Sequence, residues 1–210
     1  MVLYSCVLIG NHAGNIGGGV GTGGSSQIYN CLIVSNSAGT SHGGTFAANS
    51  YCTVVLNSAP DIGGGGGFEY CIVYGNTATS TANHNHPGGS MNYTCTTPLP
   101  GGEGNITNDP QFVDAAGGNF QLRAGSPCID AVTNGSTRGS TDLIGNQGLV
   151  NTFYDMGAYE YNQATADYDS DGDRVTDRDE FVAGTQVTNA ASYLALNMIC
   201  LLYTSDAADE

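Results

Sequence analysis

Apolar and polar positions recur along the first eighty residues in one fixed phrase. A cysteine is followed by a short apolar or β-branched run, with an asparagine five positions after the cysteine and an alanine seven after it. The phrase is written at Cys6–Asn11–Ala13, Cys31–Asn36–Ala38, Cys52–Asn57–Ala59 and Cys71–Asn76–Ala78, and its cysteines lie 25, 21 and 19 residues apart. Runs rich in Val, Ile, Leu and Tyr between turn residues read as strands. One such strand cannot bury its apolar side alone, so a period of this size implies stacking of equivalent strands from successive units. The connections are too short and too rich in glycine for crossover helices. The pattern therefore predicts an all-β chain wound as a single-stranded parallel β-helix, with coils about 4.8 Å apart. Cys, Leu or Ile, and Val then form inward columns, and stacked asparagines bond from coil to coil. The asparagine itself is expected in left-handed geometry at the turn, and the runs at Gly17–Gly19, Gly43–Gly44, 63–67 and Gly88–Gly89 are expected to supply positive φ at the opposite corner. A disordered glycine-rich tract has no reason to keep the Cys-to-Asn register.

The coils occupy residues 1–104. After Asn76 the period loosens into a loop over 77–89 and a weaker coil around Met91–Cys95, with Cys95 read as a fifth member of the cysteine column. His84 and His86 in that loop stand at i, i+2, a spacing that reaches one metal from extended backbone. No Cys, Asp or Glu flanks them, which favours a plain polar loop. His12 and His42 read as turn residues. Residues 105–161 form a second block. Asp109–Pro110 opens a turn, Phe112/Val113 and Phe120/Leu122 alternate as strand faces, and Asp130 and Asp155 suit side-chain bonds to turn amides. This block is expected to close the open end of the solenoid, as terminal repeats do.

Charge narrows the partners. Among 210 residues there are 19 acids, four arginines (Arg123, Arg138, Arg174, Arg178) and no lysine, a net charge of −15. Without a basic surface to displace counterions, nucleic acid and anionic membranes are poor partners. The seven cysteines do not fix a redox compartment, because the repeat members and Cys95 are explained as small buried hydrophobes. Adjacent coils also bring their Cα atoms into disulfide range, so bridging stays open. The apolar start, residues 1–9, lacks a basic region and a cleavage site and keeps the register of the repeat. It reads as a coil, with any export signal expected upstream. The apolar stretch at 193–203 is too short for a membrane span and carries Asn197.

The sharpest chemical motif lies at 169–180, in a linker over 162–199. Counting Asp169 as position 1, Asp171 and Asp173 fall at 3 and 5, the Val175 carbonyl at 7, Asp177 at 9 and Glu180 at 12. That is the EF-hand spacing, whose hard oxygen donors suit Ca²⁺. Arg174 stands where the sharp turn takes glycine, which adds strain and a cation beside the ion, so retained but weakened binding is expected. The bland alternative is a solvated acidic linker.

Several of these segments resemble known families. Asp109-Pro110-x-Phe112-Val113-Asp114, Phe120-x-Leu122, Gly125-Ser126-Pro127-x-Ile129-Asp130 and Asp155-Met156-Gly157-Ala158-Tyr159-Glu160, spread over residues 105–161, resemble the C-terminal part of bacterial surface proteins of the right-handed parallel β-helix, pectin-lyase-like group, including choice-of-anchor and polymorphic-outer-membrane-repeat relatives. The resemblance implies a right-handed solenoid that is exported and held at the cell surface. The loop at 169–180 with its continuation to Thr185 resembles the thrombospondin-type-3 and dockerin calcium repeats, implying a loop-helix segment. Residues 200–210 resemble the translation of a sequencing-library adapter and are set aside from fold reasoning.

The pectin-lyase-like group includes polysaccharide lyases and glycoside hydrolases, so catalysis must be weighed. Hydrolysis needs two carboxyl groups a few ångströms apart, and lyase action in the group uses an Arg or Lys base with carboxylate-bound Ca²⁺. The clean coils have no Arg or Lys and only Asp61 and Glu69, eight residues apart across a glycine corner. Arg123, Arg138, Asp130, Asp142 and Asp155 suit turn roles as well as chemistry. No catalytic residue is assigned. The expectation is a fragment of an exported cell-surface protein: an adhesive or glycan-binding scaffold with a Ca²⁺-stabilised linker, its partner an extracellular polysaccharide or cell-surface glycan, with Tyr29, Tyr51, Tyr70 and Tyr74 as candidate contact residues. The alternative is a polysaccharide lyase or glycoside hydrolase whose site lies in upstream coils.

Overall fold

The computed structural model describes residues 1–22, 26–80, 84–135, 139–149 and 152–162. The chain winds as the phrase predicts. The first coil carries β1 (Val2–Tyr4), β2 (Val7–Ile9) and β3 (His12–Ala13), and the second β4 (Gln27–Tyr29), β5 (Leu32–Val34) and β6 (Ser37–Ala38). The third carries β7 (Thr45–Ser50), β8 (Thr53–Val55) and β9 (Ser58–Ala59), and the fourth β10 (Gly65–Glu69), β11 (Ile72–Tyr74) and β12 (Thr77–Ala78). Equivalent strands pair in parallel to give three sheets, ordered β1-β4-β7-β10, β2-β5-β8-β11 and β3-β6-β9-β12, and β13 (Cys95–Thr96) adds a fifth strand to the second sheet beside β11. The result is an all-β parallel solenoid of about four turns.

Its interior is built of columns, because in-register parallel pairing places identical positions over one another. Cys6, Cys31, Cys52 and Cys71 form one column, with the Cys6 backbone N 3.3 Å from the Cys31 sulfur and that of Cys52 3.4 Å from the Cys71 sulfur. Leu8, Ile33, Val54 and Val73 form a second column in the same core. Cys95 departs from the expectation. It pairs with Ile72, not Cys71, so it lies on the outer face of the second sheet. Thr94 takes the register position that continues the cysteine column, and the Cys95 N–H donates to the Cys71 carbonyl.

The asparagine column is present, by a route that differs in one respect. Asn11, Asn36, Asn57 and Asn76 do not adopt positive φ; the residue before each does, at Gly10, Ser35, Leu56 and Gly75. The asparagines act through their side chains. The Oδ1 atoms of Asn36, Asn57 and Asn76 each accept twice from the preceding coil, as when Asn57 donates to Asn76 through both its backbone N and its Nδ2 at 2.9 Å. The row ends on Asn85, whose Oδ1 takes both bonds from Asn76.

The glycine runs supply the expected positive φ at Gly17, Gly65, Gly67, Gly88 and Gly89, but one pair serves another purpose. Gly43 and Gly44 have no positive φ. A Cβ at Gly43 would lie 2.3 Å from the Ser58 carbonyl oxygen and 2.7 Å from that of Gly63, and one at Gly44 would lie 2.5 Å from the Gly64 oxygen. These positions need the absence of a side chain so that backbones can approach.

The second block begins by stacking on the fifth coil, with Ile106 bridged to Cys95 and Thr94 donating to Asn105 Oδ1. It then folds back along the flank. The antiparallel hairpin of β14 (Phe112–Asp114) and β15 (Asn119–Leu122), with Cys128, Val132, Met156 and Ala158, packs over Leu32, Val34, Val55 and Ile72 on the outer face of the second sheet. Closure of the solenoid's end is thus the task of its first residues, and most of the block buries a sheet face. The contact is pinned by Ala158, whose N–H donates to Thr53 Oγ1 at 3.0 Å, and by Gly157, whose N–H donates to the Tyr70 carbonyl at 2.8 Å.

Candidate functional site

The second sheet reads as apolar triplets, Leu32-Ile33-Val34 and Thr53-Val54-Val55, which lack the alternation of a sheet with one face in water. Such runs signal strands buried on both faces, and the flank block supplies the second cover. At one margin the cover and the sheet part. Between them lies a half-open groove of about 530 Å³, inside the roughly 300–1,000 Å³ range of small-ligand clefts. Val55, Leu56, Tyr74 and Gly75 form the solenoid wall, and Asp109, Gln111, Phe112, Phe120 and Arg123 are on the facing wall.

Each wall is positioned by a local device. Leu56 occupies the left-handed corner with φ 56°, where a bulky side chain costs backbone strain of the order of 1 kcal/mol. It is 47 % exposed, and a Cβ built at Gly75 would lie 3.5 Å from its Cδ2. The corner therefore places a large apolar side chain at the lip. On the facing wall Asp109 caps the turn through Oδ1, which accepts from the Gln111 N–H at 2.8 Å. Phe112 and Phe120 meet edge to face with centroids 5.3 Å apart, and Phe120 is buried. The Arg123 guanidinium is braced by the Val113 carbonyl, to which Nε donates at 3.1 Å and Nη2 also donates. Burial of Tyr74, and then the Asp109 carboxylate, push its phenol above the ordinary tyrosine value, so it stays a protonated hydrogen-bond donor. The groove thus combines aromatic and aliphatic surface with a carboxylate, a guanidinium, an amide and a phenol.

Of the residues singled out in the sequence, the calcium-loop set Asp169, Asp171, Asp173, Val175, Asp177 and Glu180 lies outside the described residues, as does Arg138. His84 and His86 are committed to the loop's own structure. His84 Nδ1 accepts from Ala78 N at 2.7 Å, while His86 is 1 % exposed, donates from Nε2 to the Pro98 carbonyl at 3.0 Å and accepts from Gly88 N through Nδ1 at 3.0 Å. Among the described residues no group of three or more His, Cys, Asp or Glu is placed to hold a metal ion.

Asp130, Asp142 and Asp155 take turn roles. Asp155 accepts from the backbone N of Asp130 at 2.7 Å and of Tyr161 at 2.6 Å, Asp142 from that of Asn146 at 2.8 Å, and Asp130 from that of Phe153 at 3.4 Å. Asp61 is exposed and accepts from Ser41 Oγ at 3.2 Å, and Glu69 is exposed at the end of β10. Tyr51 is buried and Tyr70 half-buried beneath the flank block, where Tyr51 meets Tyr154 with ring centroids 5.7 Å apart. Tyr29 stacks on exposed Tyr4 at 4.8 Å. Of the four candidate tyrosines only Tyr74 lines the groove. Sequence reasoning did not place Leu56, Phe112 and Phe120 in a site; the two-faced apolar triplets were the available signal.

Comparison with protein-family models, with curated proteins and with solved structures finds no match for this chain.

Proposed function

We propose that this chain belongs to an exported, cell-surface β-helix protein that acts as a non-catalytic, glycan-binding scaffold. The observation that carries the reading is the groove between the second sheet and the hairpin, where aromatic side chains adjoin Asp109, Gln111 and Arg123. A polyhydroxylated ring has an apolar face for the aromatics and a hydroxyl rim for the polar groups. A hydrolase would instead need two carboxyl groups facing one scissile bond. The aspartates of the flank block serve as acceptors for turn amides, which supports binding over chemistry.

Two finer readings go with the proposal. One is right-handed winding and kinship with pectin-lyase-like surface proteins, on the residues at 105–161. The other is a linker ordered by Ca²⁺ through Asp169, Asp171, Asp173, Val175, Asp177 and Glu180, whose spacing is that of an EF-hand. The test of function is calorimetric titration of the full chain with a panel of oligosaccharides, followed by product analysis. Binding without new reducing ends or unsaturated products is expected. Turnover by this chain would replace the scaffold with a polysaccharide lyase or glycoside hydrolase.

A further inference from the structure

The geometry points to a neutral glycan, not a polyuronate, as the ligand class of the groove, held by Tyr74 and Asp109 with Arg123 as a donor. This rests on the scaffold reading and deepens it. Tyr74 and Phe112 present partly buried aromatic surface, and Leu56 extends it at the lip. Aromatic faces carry negative charge density and attract the C–H-rich face of a sugar ring. Among the described residues Asp109 accepts one hydrogen bond, from Gln111 N to Oδ1. An ionised carboxylate is an acceptor with room for several donors, and two adjacent sugar hydroxyls supply a matched pair of charge-assisted hydrogen bonds.

The same carboxylate discriminates. A uronate placed at that wall would set its own carboxylate against Asp109, and like-charge juxtaposition is the means by which a site rejects a wrong partner. Arg123 offsets this only in part. Nε and Nη2 donate to the Val113 carbonyl, which fixes the fork and leaves its remaining N–H groups for hydroxyl oxygens. The wider field acts in the same direction. With a net charge of −15 and no lysine, the chain disfavours the approach of a polyanion. The Tyr74 phenol, held protonated by burial and by Asp109, adds a donor over the whole ordinary pH range.

The experiment is calorimetric titration of the full chain with neutral hexose oligosaccharides and with oligouronates of equal length, at low and high salt. Neutral oligosaccharides are expected to bind with little salt dependence, because no net charge is neutralised on binding. Asp109→Asn, which keeps the turn-capping oxygen, and Tyr74→Ala should each weaken binding about tenfold, while Tyr74→Phe has a smaller effect. Thermal melts of each variant separate lost binding from lost folding. Tighter, salt-sensitive binding of oligouronates would overturn this inference and leave the scaffold reading standing. Neutral binding indifferent to both Asp109→Asn and Tyr74→Ala would also overturn it, by placing the ligand elsewhere. Binding of neither class would overturn the scaffold reading itself.

Discussion

Asn57 Oδ1 accepts two hydrogen bonds from Asn36, from its backbone N at 2.9 Å and from its Nδ2 at 3.0 Å, and both residues are fully buried. Asn57 in turn spends its own Nδ2 on the Ile33 and Val55 carbonyls and on Asn76. The residue is thus a junction for three coils, and no single other side chain of the same size offers both donors and acceptors. Asn57→Ala strands the Asn36 donors and two carbonyls in a buried setting, at a cost of the order of 3 kcal/mol. Chemical denaturation of the variant measures this; a loss below about 0.5 kcal/mol would mean that the row adds no net stability.

A methyl group at Gly43 has no space. Its nearest neighbours would be the Ser58 and Gly63 carbonyl oxygens at 2.3 and 2.7 Å, both backbone, so neither moves as a flexible tip would. Gly43→Ala is expected to destabilise by about 1–3 kcal/mol through overpacking. Gly14→Ala, where nothing lies within 4 Å, is the matched control and should be close to neutral. Thermal melts of the two variants side by side give the comparison.

The flank block is held by a close backbone approach. Gly157 has φ 92°, and a Cβ there would meet Thr53 Oγ1 at 2.8 Å and Ile72 Cδ1 at 2.9 Å. Gly157→Ala should lift the cover locally and leave the coils wound. The expected readout is faster proteolysis within 105–162 and new binding of an apolar dye, with the β-sheet circular dichroism retained. Protection equal to that of the parent chain would refute it.

The buried thiols make stability fall with rising pH. Contact with Cys52, and then burial, raise the Cys31 thiol, while burial first raises that of Cys52. An unfolded thiol ionises near about 8.5. Above that pH the unfolded chain releases protons that the folded chain keeps, so the unfolded state gains. Each such thiol contributes a slope of up to about 1.4 kcal/mol per pH unit. Melting temperatures from pH 7 to pH 10 should decline, and Cys52→Ala, although less stable at pH 7, should decline less steeply. Tyr74 adds a similar contribution at higher pH, which Tyr74→Phe removes.

For the acidic loop, Ca²⁺ titration of the full chain is expected to release measurable heat, abolished by Glu180→Gln. Arg174→Gly restores the residue that the sharp turn favours and removes a cation from the loop, so it should bind Ca²⁺ more tightly. Equal affinity of parent and variant would show that the turn does not limit binding.

The winding was legible because Cys, Asn and Ala keep one spacing through four coils, and a period constrains every inward column at once. The exceptions are the positions that this period does not reach. Cys95 matches the column by residue type, yet the chain shifts by one position there, and a one-residue shift turns a side chain to the other face. Asn85 was missed because no cysteine precedes it in phase; it completes the row from a loop. Gly43 looked like a conformational need and was a spatial one, which no local pattern distinguishes. The groove depends on where β14 and β15 come to rest against Leu56 and Tyr74, a contact between segments tens of residues apart that share no period.

The asparagine row also has a direction. Every amide along it points the same way, Asn11 giving to Asn36, Asn36 to Asn57 and Asn57 to Asn76, so their dipoles add and each bond polarises the next. The two directions along such a row are chemically unlike: towards Asn85 each carboxamide presents its donors, and towards Asn11 each presents its oxygen. A strand laid against the first coil therefore meets a preset polarity and fits best when it arrives with a pair of N–H groups in register.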